Sequence, residues 1–266
     1  MSWKTDGEGL QWERDSRADA QPRIRWNNGR KVGRSGDPGC FYVKADYVSG
    51  TPDGWTESNL FPNEEGFETP FISLIVLGRR SQPFTQNGKF VTWHTQYQRD
   101  QGMKIYTELY CLMKGYSDPV IFTCKGWTAQ RVVGAKRSVM ADHEEFVVKV
   151  ANAQAKKPLP SWAFWMTFGG VYDAKGQPHF TQVGDGSQST VLHDIAIKDI
   201  KAAATEAQLG ELYIGHDLLV KAAEMRSELI ASKWQDQRRG NVDAEPTPPT
   251  NTVQPLADDE DDERPF

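Results

Sequence analysis

The chain of 266 residues carries 36 Asp and Glu against 31 Lys and Arg, a formal net charge of −5, and is 38% hydrophobic and 25% charged. With glycine counted and tyrosine set aside, the apolar share is about 44%, just below the roughly 45–50% of ordinary globular chains, so one sizeable core is expected and disorder of the whole chain is excluded. The longest mostly apolar run, residues 71–78, is broken by Ser73 and is far shorter than the ~20 residues of a spanning helix. The start has no basic stretch followed by an apolar segment, so the expectation is a cytoplasmic protein with no membrane role.

Residues 1–38 are polar, contain glycine and lack apolar periodicity; they read as a basic arm ending at Gly36-Asp37-Pro38-Gly39. Between positions 17 and 34 lie Arg17, Arg23, Arg25, Arg30, Lys31 and Arg34 against the single acid Asp19, with Trp26 among them. This is a cationic patch with an aromatic inside it. Residues 39–200 read as the main domain. In 40–48, Phe41, Val43, Ala45 and Tyr47 alternate with Tyr42, Lys44 and Asp46, which predicts a strand with one core face and one wet face. Residues 49–70 read as a long loop and 71–78 as a strand in the middle of a sheet, followed by strands at 89–97, 104–114 and 119–126.

The last two strands predict a hairpin, because Tyr116-Ser117-Asp118-Pro119 is turn chemistry. Symmetric pairing about that turn sets Cys111 opposite Cys124. It places Ile105, Thr107, Leu109, Cys111, Met113, Phe122 and Cys124 on a core face. Tyr106, Glu108, Tyr110, Lys114, Thr123 and Lys125 take the exposed face, where two tyrosines and two lysines suit something flat and negatively charged. Residues 127–155 read as helical, most clearly 141–153, and strands return at 162–172, 178–183 and 189–198. Trp162, Phe164, Trp165 and Phe168 read as core or subunit-interface aromatics. The helical extension is 201–238, with an amphipathic helix over 207–235 that Gly210 and Gly215 weaken; it would pack on the sheet or on another subunit of a homo-oligomer. Residues 239–257 are Pro-rich and aperiodic, as a disordered linker is.

Charge divides sharply along the chain. Residues 1–240 hold 30 basic and 28 acidic side chains, whereas 241–266 hold one and eight. The final segment runs Asp258, Asp259, Glu260, Asp261, Asp262, Glu263, Arg264, Pro265, Phe266. Phe266 can enter an apolar pocket while its carboxylate meets a cation there and the acids steer toward a basic rim. This tip, over 258–266, resembles that of bacterial and phage single-stranded DNA-binding proteins, which end in an acidic run and Pro-Phe or Phe. Taken with the strand and helix patterns above, the resemblance implies a mainly β protein, an OB-like five-stranded or elaborated β-barrel with an added C-terminal helix and a disordered acidic tail, working in a bacterial host cell. It implies binding of single-stranded DNA without sequence preference, and recruitment of replication and recombination enzymes through Asp258 to Glu263, Pro265 and Phe266.

Such binding needs cations along the phosphates and ring faces for the bases. Arg23, Arg25, Arg30, Lys31 and Arg34 fit the first need and Trp26 the second, with Tyr42, Lys44, Tyr106, Tyr110 and Lys125 on the solvent side of predicted strands. Arg79 and Arg80 could contact backbone or cap a sheet edge. A strand-annealing or recombination-mediator protein and a nuclease or polymerase accessory factor are the alternatives. Enzymatic signatures are missing from the sequence. There is no phosphate-binding Gly-x-x-x-x-Gly-Lys-Ser/Thr, no Gly-x-Ser-x-Gly and no His-x-x-x-His, so no cofactor, no metal and no catalytic residue is expected. Asp142-His143-Glu144-Glu145 reads as acids at a helix start. Cys40, Cys111 and Cys124, odd in number and without C-x-x-C spacing, read as reduced thiols.

Overall fold

The computed structural model describes residues 21–28, 39–48, 50–61, 63–84, 104–134, 138–183, 190–198, 200–232 and 234. The strands are β1 (Arg23–Asn27), β2 (Cys40–Lys44), β3 (Thr56–Ser58), β4 (Gly66–Thr69), β5 (Phe71–Phe84), β6 (Lys104–Met113), β7 (Pro119–Lys125), β8 (Met166–Gly170), β9 (Phe180–Val183), β10 (Thr190–His193) and β11 (Ile195–Ile197). Nine of them form one mixed sheet in the order β11-β8-β5-β6-β7-β1-β2-β4-β3, and β9 pairs with β10 separately. The protein is mainly β, but among the described residues the sheet is open, with β11 and β3 at its edges, and not the closed barrel expected.

Two expectations about the N-terminal part are corrected. Arg23–Asn27, assigned to an arm outside the domain, is a strand inside the sheet, parallel to β7 and antiparallel to β2. Ile24 and Trp26 alternate with Arg23 and Arg25 there, and the buried pair holds the segment in place. The 49–70 loop contributes β3 and β4, which extend the sheet from β2. The expected strand 89–97 lies outside the described residues.

The β6–β7 hairpin forms, with a register four residues from the expected one. Tyr106 opposes Lys125 and Leu109 opposes Phe122, so Cys111 faces Val120 and Cys124 faces Thr107. The chain turns earlier than the Ser-Asp-Pro signal suggests, at Gly115, whose φ of 79° suits glycine, with the Tyr116 N–H donating to the Met113 carbonyl at 3.1 Å. A shift by an even number of residues keeps every side chain on its face, so the division into two faces stands.

Both faces are covered at the sheet's centre. On one, Ile24, Trp26, Phe41, Val43, Leu74, Leu109, Phe122 and Phe168 form the main core, closed by α1 (Gly126–Val133) and α2 (Val139–His143). The Trp26–Phe41, Phe41–Phe122 and Phe122–Phe168 ring centroids lie 4.8, 5.8 and 5.8 Å apart, so residues of β1, β2, β7 and β8 meet and the sheet curls around them. Ser138 caps α2 by accepting from the Ala141 N–H at 3.2 Å. A π-helical turn, Glu144–Val148, then leads into α3 (Lys149–Gln154), and its Val147 and Val148 join Phe164, Ala204 and Leu209 in a further cluster.

The other face carries a second core. The 207–235 helix is two helices, α4 (Glu206–Leu212) and α5 (His216–Ala231), divided at Gly215 with its φ of 84°. Leu229 and Trp234 pack with Ile75, Leu77, Leu112, Ile121 and Trp165 against the same chain's sheet. Gly78, at the irregularity in β5, has no Cβ to obstruct Leu229. Phe164, Trp165 and Phe168 are therefore core residues of the chain itself. Cys111 and Cys124 are buried free thiols, and Cys40, which forms no disulfide, is half-buried. No helix among the described residues is long and apolar enough to cross a membrane.

Candidate nucleic-acid interface

Cross-strand register builds the candidate surface. Arg80 opposes Glu108, Glu108 opposes Thr123, Thr123 opposes Arg25, Arg25 opposes Tyr42, and Tyr42 opposes Glu68. Directly opposed residues point to one side of a sheet, so this is one row across six strands. Five steps of roughly 4.8 Å make it roughly 24 Å long. Two residues along their strands, on the same face, stand Tyr106, Tyr110, Lys125, Arg23 and Lys44. Residues far apart in sequence thus share the face that the hairpin pattern marked out.

The face divides into a covered part and an open part. Arg80 is a buried structural cation. Its guanidinium donates to Glu108 Oε2 from Nε at 2.7 Å and to the Trp234 carbonyl at 3.0 Å, and it lies 4.0 Å from the Trp234 ring centre. Glu108, wholly buried, also accepts from Arg23, which reaches it from β1. Tyr110 packs on Trp234 at 5.7 Å and accepts from the Gln21 side chain at 3.4 Å; burial pushes its hydroxyl pKa up. Tyr106 and Lys125 are half-buried and oppose each other across β6 and β7.

At the other end stand Arg25, Tyr42 and Lys44. Tyr42, expected on a wet face, is buried: its ring crosses Gly66, where a Cβ would collide with it, and meets Phe61 at 4.9 Å. Its hydroxyl donates to Glu64 Oε1 at 2.7 Å, and burial together with that bond raises its pKa. Arg25 Nη2 donates to the same oxygen at 3.0 Å while its guanidinium lies 4.3 Å from the Phe61 ring centre and 4.8 Å from that of Tyr42. Lys44 Nζ is 3.7 Å from Glu64 Oε2 and 3.4 Å from Asp46, whose hydrogen bond raises the ammonium pKa.

Trp26 belongs to the opposite face and is a core residue, in contact with Phe41 and 5.8 Å from the His193 ring, so it offers no face to a base. Arg79 also points to that face, exposed, with its Nη1 donating to the Val133 carbonyl at 3.4 Å. Arg30, Lys31, Arg34 and the whole tip from Asp258 to Phe266 lie outside the described residues. Glu64, Phe61 and Trp234 were not singled out by the sequence. Glu64 sits in an unremarkable acidic stretch, Asn63-Glu64-Glu65-Gly66, and only the β2–β4 pairing brings it to Arg25.

A second polar cluster lies by β9 and β10. Asp194, buried, accepts from Thr181 at 2.6 Å and Trp127 at 3.4 Å and meets His179 Nδ1 at 3.0 Å. His193 accepts from the Gly39 N–H at Nδ1, 2.6 Å, which leaves Nε2–H to donate to the Val171 carbonyl at 2.8 Å. These bonds tie the β9–β10 hairpin to the entry of β2. No group of three His, Cys, Asp or Glu among the described residues is placed to hold a metal ion. In comparisons with known proteins, the chain matches no family model, no curated protein and no solved structure.

Proposed function

We propose that the protein binds single-stranded DNA without sequence preference, protects it during phage or mobile-element replication or recombination, and recruits partner enzymes through its acidic tip. The observation that carries the reading is the single sheet face on which Arg23, Arg25, Lys44, Tyr106 and Lys125 are gathered by register, together with a chain ending in six consecutive acids, Arg264, Pro265 and Phe266. Cations at strand spacing suit successive phosphates and Tyr106 supplies a ring for a base. The curled β1–β2 and β5–β6–β7 strands are the portion of the sheet on which an OB-like relationship would rest. The tip is a short linear ligand whose Phe266 anchors in a partner's pocket. The protein would act without catalysis, in the cytoplasm of a bacterial host.

Tyr106→Ala and Lys125→Ala test the reading in the full chain. Binding of a labelled oligothymidine should weaken by the equivalent of about 1–3 kcal/mol for the lost ring, with circular dichroism unchanged. Unchanged affinity in both variants would move the binding surface away from this face.

A further inference from the structure

Among the described ion pairs of this face, Glu108 holds Arg80 and Arg23, whereas Glu64 holds Arg25 and shares Lys44 with Asp46. Glu108 is 0% exposed and its partner Arg80 5%, so that pair is locked into the core. Glu64 is 29% exposed, with Arg25 at 48% and Lys44 at 35%. Exposed pairs of this kind are worth about 0–1 kcal/mol, so water or another anion replaces the carboxylate at little cost.

The socket holding Glu64 is nonetheless built. Tyr42 is 1% exposed and its buried ring, lying over Gly66, delivers a hydroxyl to the carboxylate at 2.7 Å. A guanidinium donates to the same oxygen and an ammonium stands by the other. One anion therefore meets two hydrogen-bond donors, Arg25 and Tyr42, and a nearby ammonium that it shares with Asp46, all supplied by adjacent strands β1 and β2. A phosphodiester, with one negative charge shared between two oxygens, offers the same acceptors as the carboxylate.

We propose that Glu64 is an internal anion occupying a phosphodiester socket formed by Arg25, Lys44 and Tyr42, and that a single-stranded DNA backbone displaces it on binding. This rests on the nucleic-acid reading above and adds its regulation. Glu64 lies between β3 and β4, where its N–H donates to the Phe61 carbonyl at 3.2 Å, so it and Phe61 belong to one turn. Displacement would release Glu64 to water and leave Arg25, Lys44 and the Tyr42 hydroxyl with an anion partner. Glu64 thus competes against weak anions and yields to a polyanion that engages the rest of the row at the same time.

The test uses the full chain, a labelled oligothymidine and fluorescence anisotropy across a salt series. Glu64→Gln keeps size and acceptor while removing charge, and Glu64→Ala removes both. Each should tighten binding about two- to fivefold at low salt, the equivalent of a surface ion pair. The slope of log affinity against log salt should steepen by about 0.7, as for one more neutralised phosphate. In Arg25→Ala/Glu64→Gln the gain should vanish. If wild type binds the oligonucleotide while both single variants, with unchanged circular dichroism and melting, bind equally or more weakly, Glu64 is a structural brace and the latch is overturned. If neither wild type nor variants bind, the nucleic-acid reading itself falls and the latch with it.

Discussion

Replacing Glu108 by Gln should be among the most damaging single changes in the sheet, although the residue was read from sequence as part of an exposed face. The carboxylate is wholly buried and receives Arg80 through Nε at 2.7 Å and Nη2 at 2.6 Å, and Arg23 from the adjacent region. Glutamine keeps the volume, but it turns an NH2 toward guanidinium donors and removes the negative charge that the buried Arg80, beside the Trp234 carbonyl and ring, meets in the core. Arg23, 30% exposed, can turn to water. Removing one partner of a buried pair costs about 3–5 kcal/mol, a third or more of the stability of many domains. With a urea m-value of about 3 kcal/mol/M, the midpoint should fall by about 1–1.7 M, followed by tryptophan fluorescence. The double variant Arg80→Met/Glu108→Leu removes both charges and should recover most of the loss. A midpoint shift below about 0.3 M for Glu108→Gln, which is about 1 kcal/mol at that m-value, would mean that the buried ion pair does not hold the sheet. So would a double variant no more stable than the single one.

Other expectations follow from particular contacts. Gly39→Ala would drive a Cβ into the Trp26 ring and to 2.7 Å from the Asn27 carbonyl oxygen, and should lower stability by about 1–3 kcal/mol in thermal melts. His143 is buried, which lowers its pKa from 6.5 to about 4, so the unfolded chain binds the extra proton first. Stability from this group is fully present above pH 6.5 and lost as pH falls toward 4, by up to about 3 kcal/mol, and His143→Leu should flatten that part of a denaturation–pH profile. Deleting residues 258–266 changes the formal charge from −5 to 0; DNA affinity should hold or rise while capture of replication enzymes in pull-downs is lost, and Phe266→Ala should reproduce most of that loss.

How far the sequence could be read is clearest in the hairpin. Period-two alternation assigned Leu109, Cys111, Phe122 and Cys124 to the core face, and the structure buries all four together. The turn, judged from Ser117-Asp118-Pro119, was misplaced because Gly115 can adopt a positive φ and turn the chain earlier. Alternation also marked Tyr42 as exposed, but it reports only which residues share a face and says nothing of what covers that face. Phe61 and the β3–β4 turn cover Tyr42, and Trp234 covers Tyr110 and Arg80. Arg23 to Asn27 resembled an arm because five residues are too few for periodicity to stand out beside a polar, glycine-containing segment. Ion pairing was invisible for a similar reason: Arg23 and Glu108 stand 85 positions apart and meet only through the parallel β1–β7 pairing. A count of cations in a segment therefore overstates the charge that the folded surface presents.

Preference for single strands is measured by anisotropy of labelled single-stranded and duplex oligonucleotides of equal length, titrated with the full chain at several salt concentrations. Binding should be tighter to the single strand at every salt concentration, with log affinity falling by about 0.7 per neutralised phosphate for each tenfold rise in salt. Equal or tighter binding to the duplex throughout, or no binding to either, would contradict the proposed function.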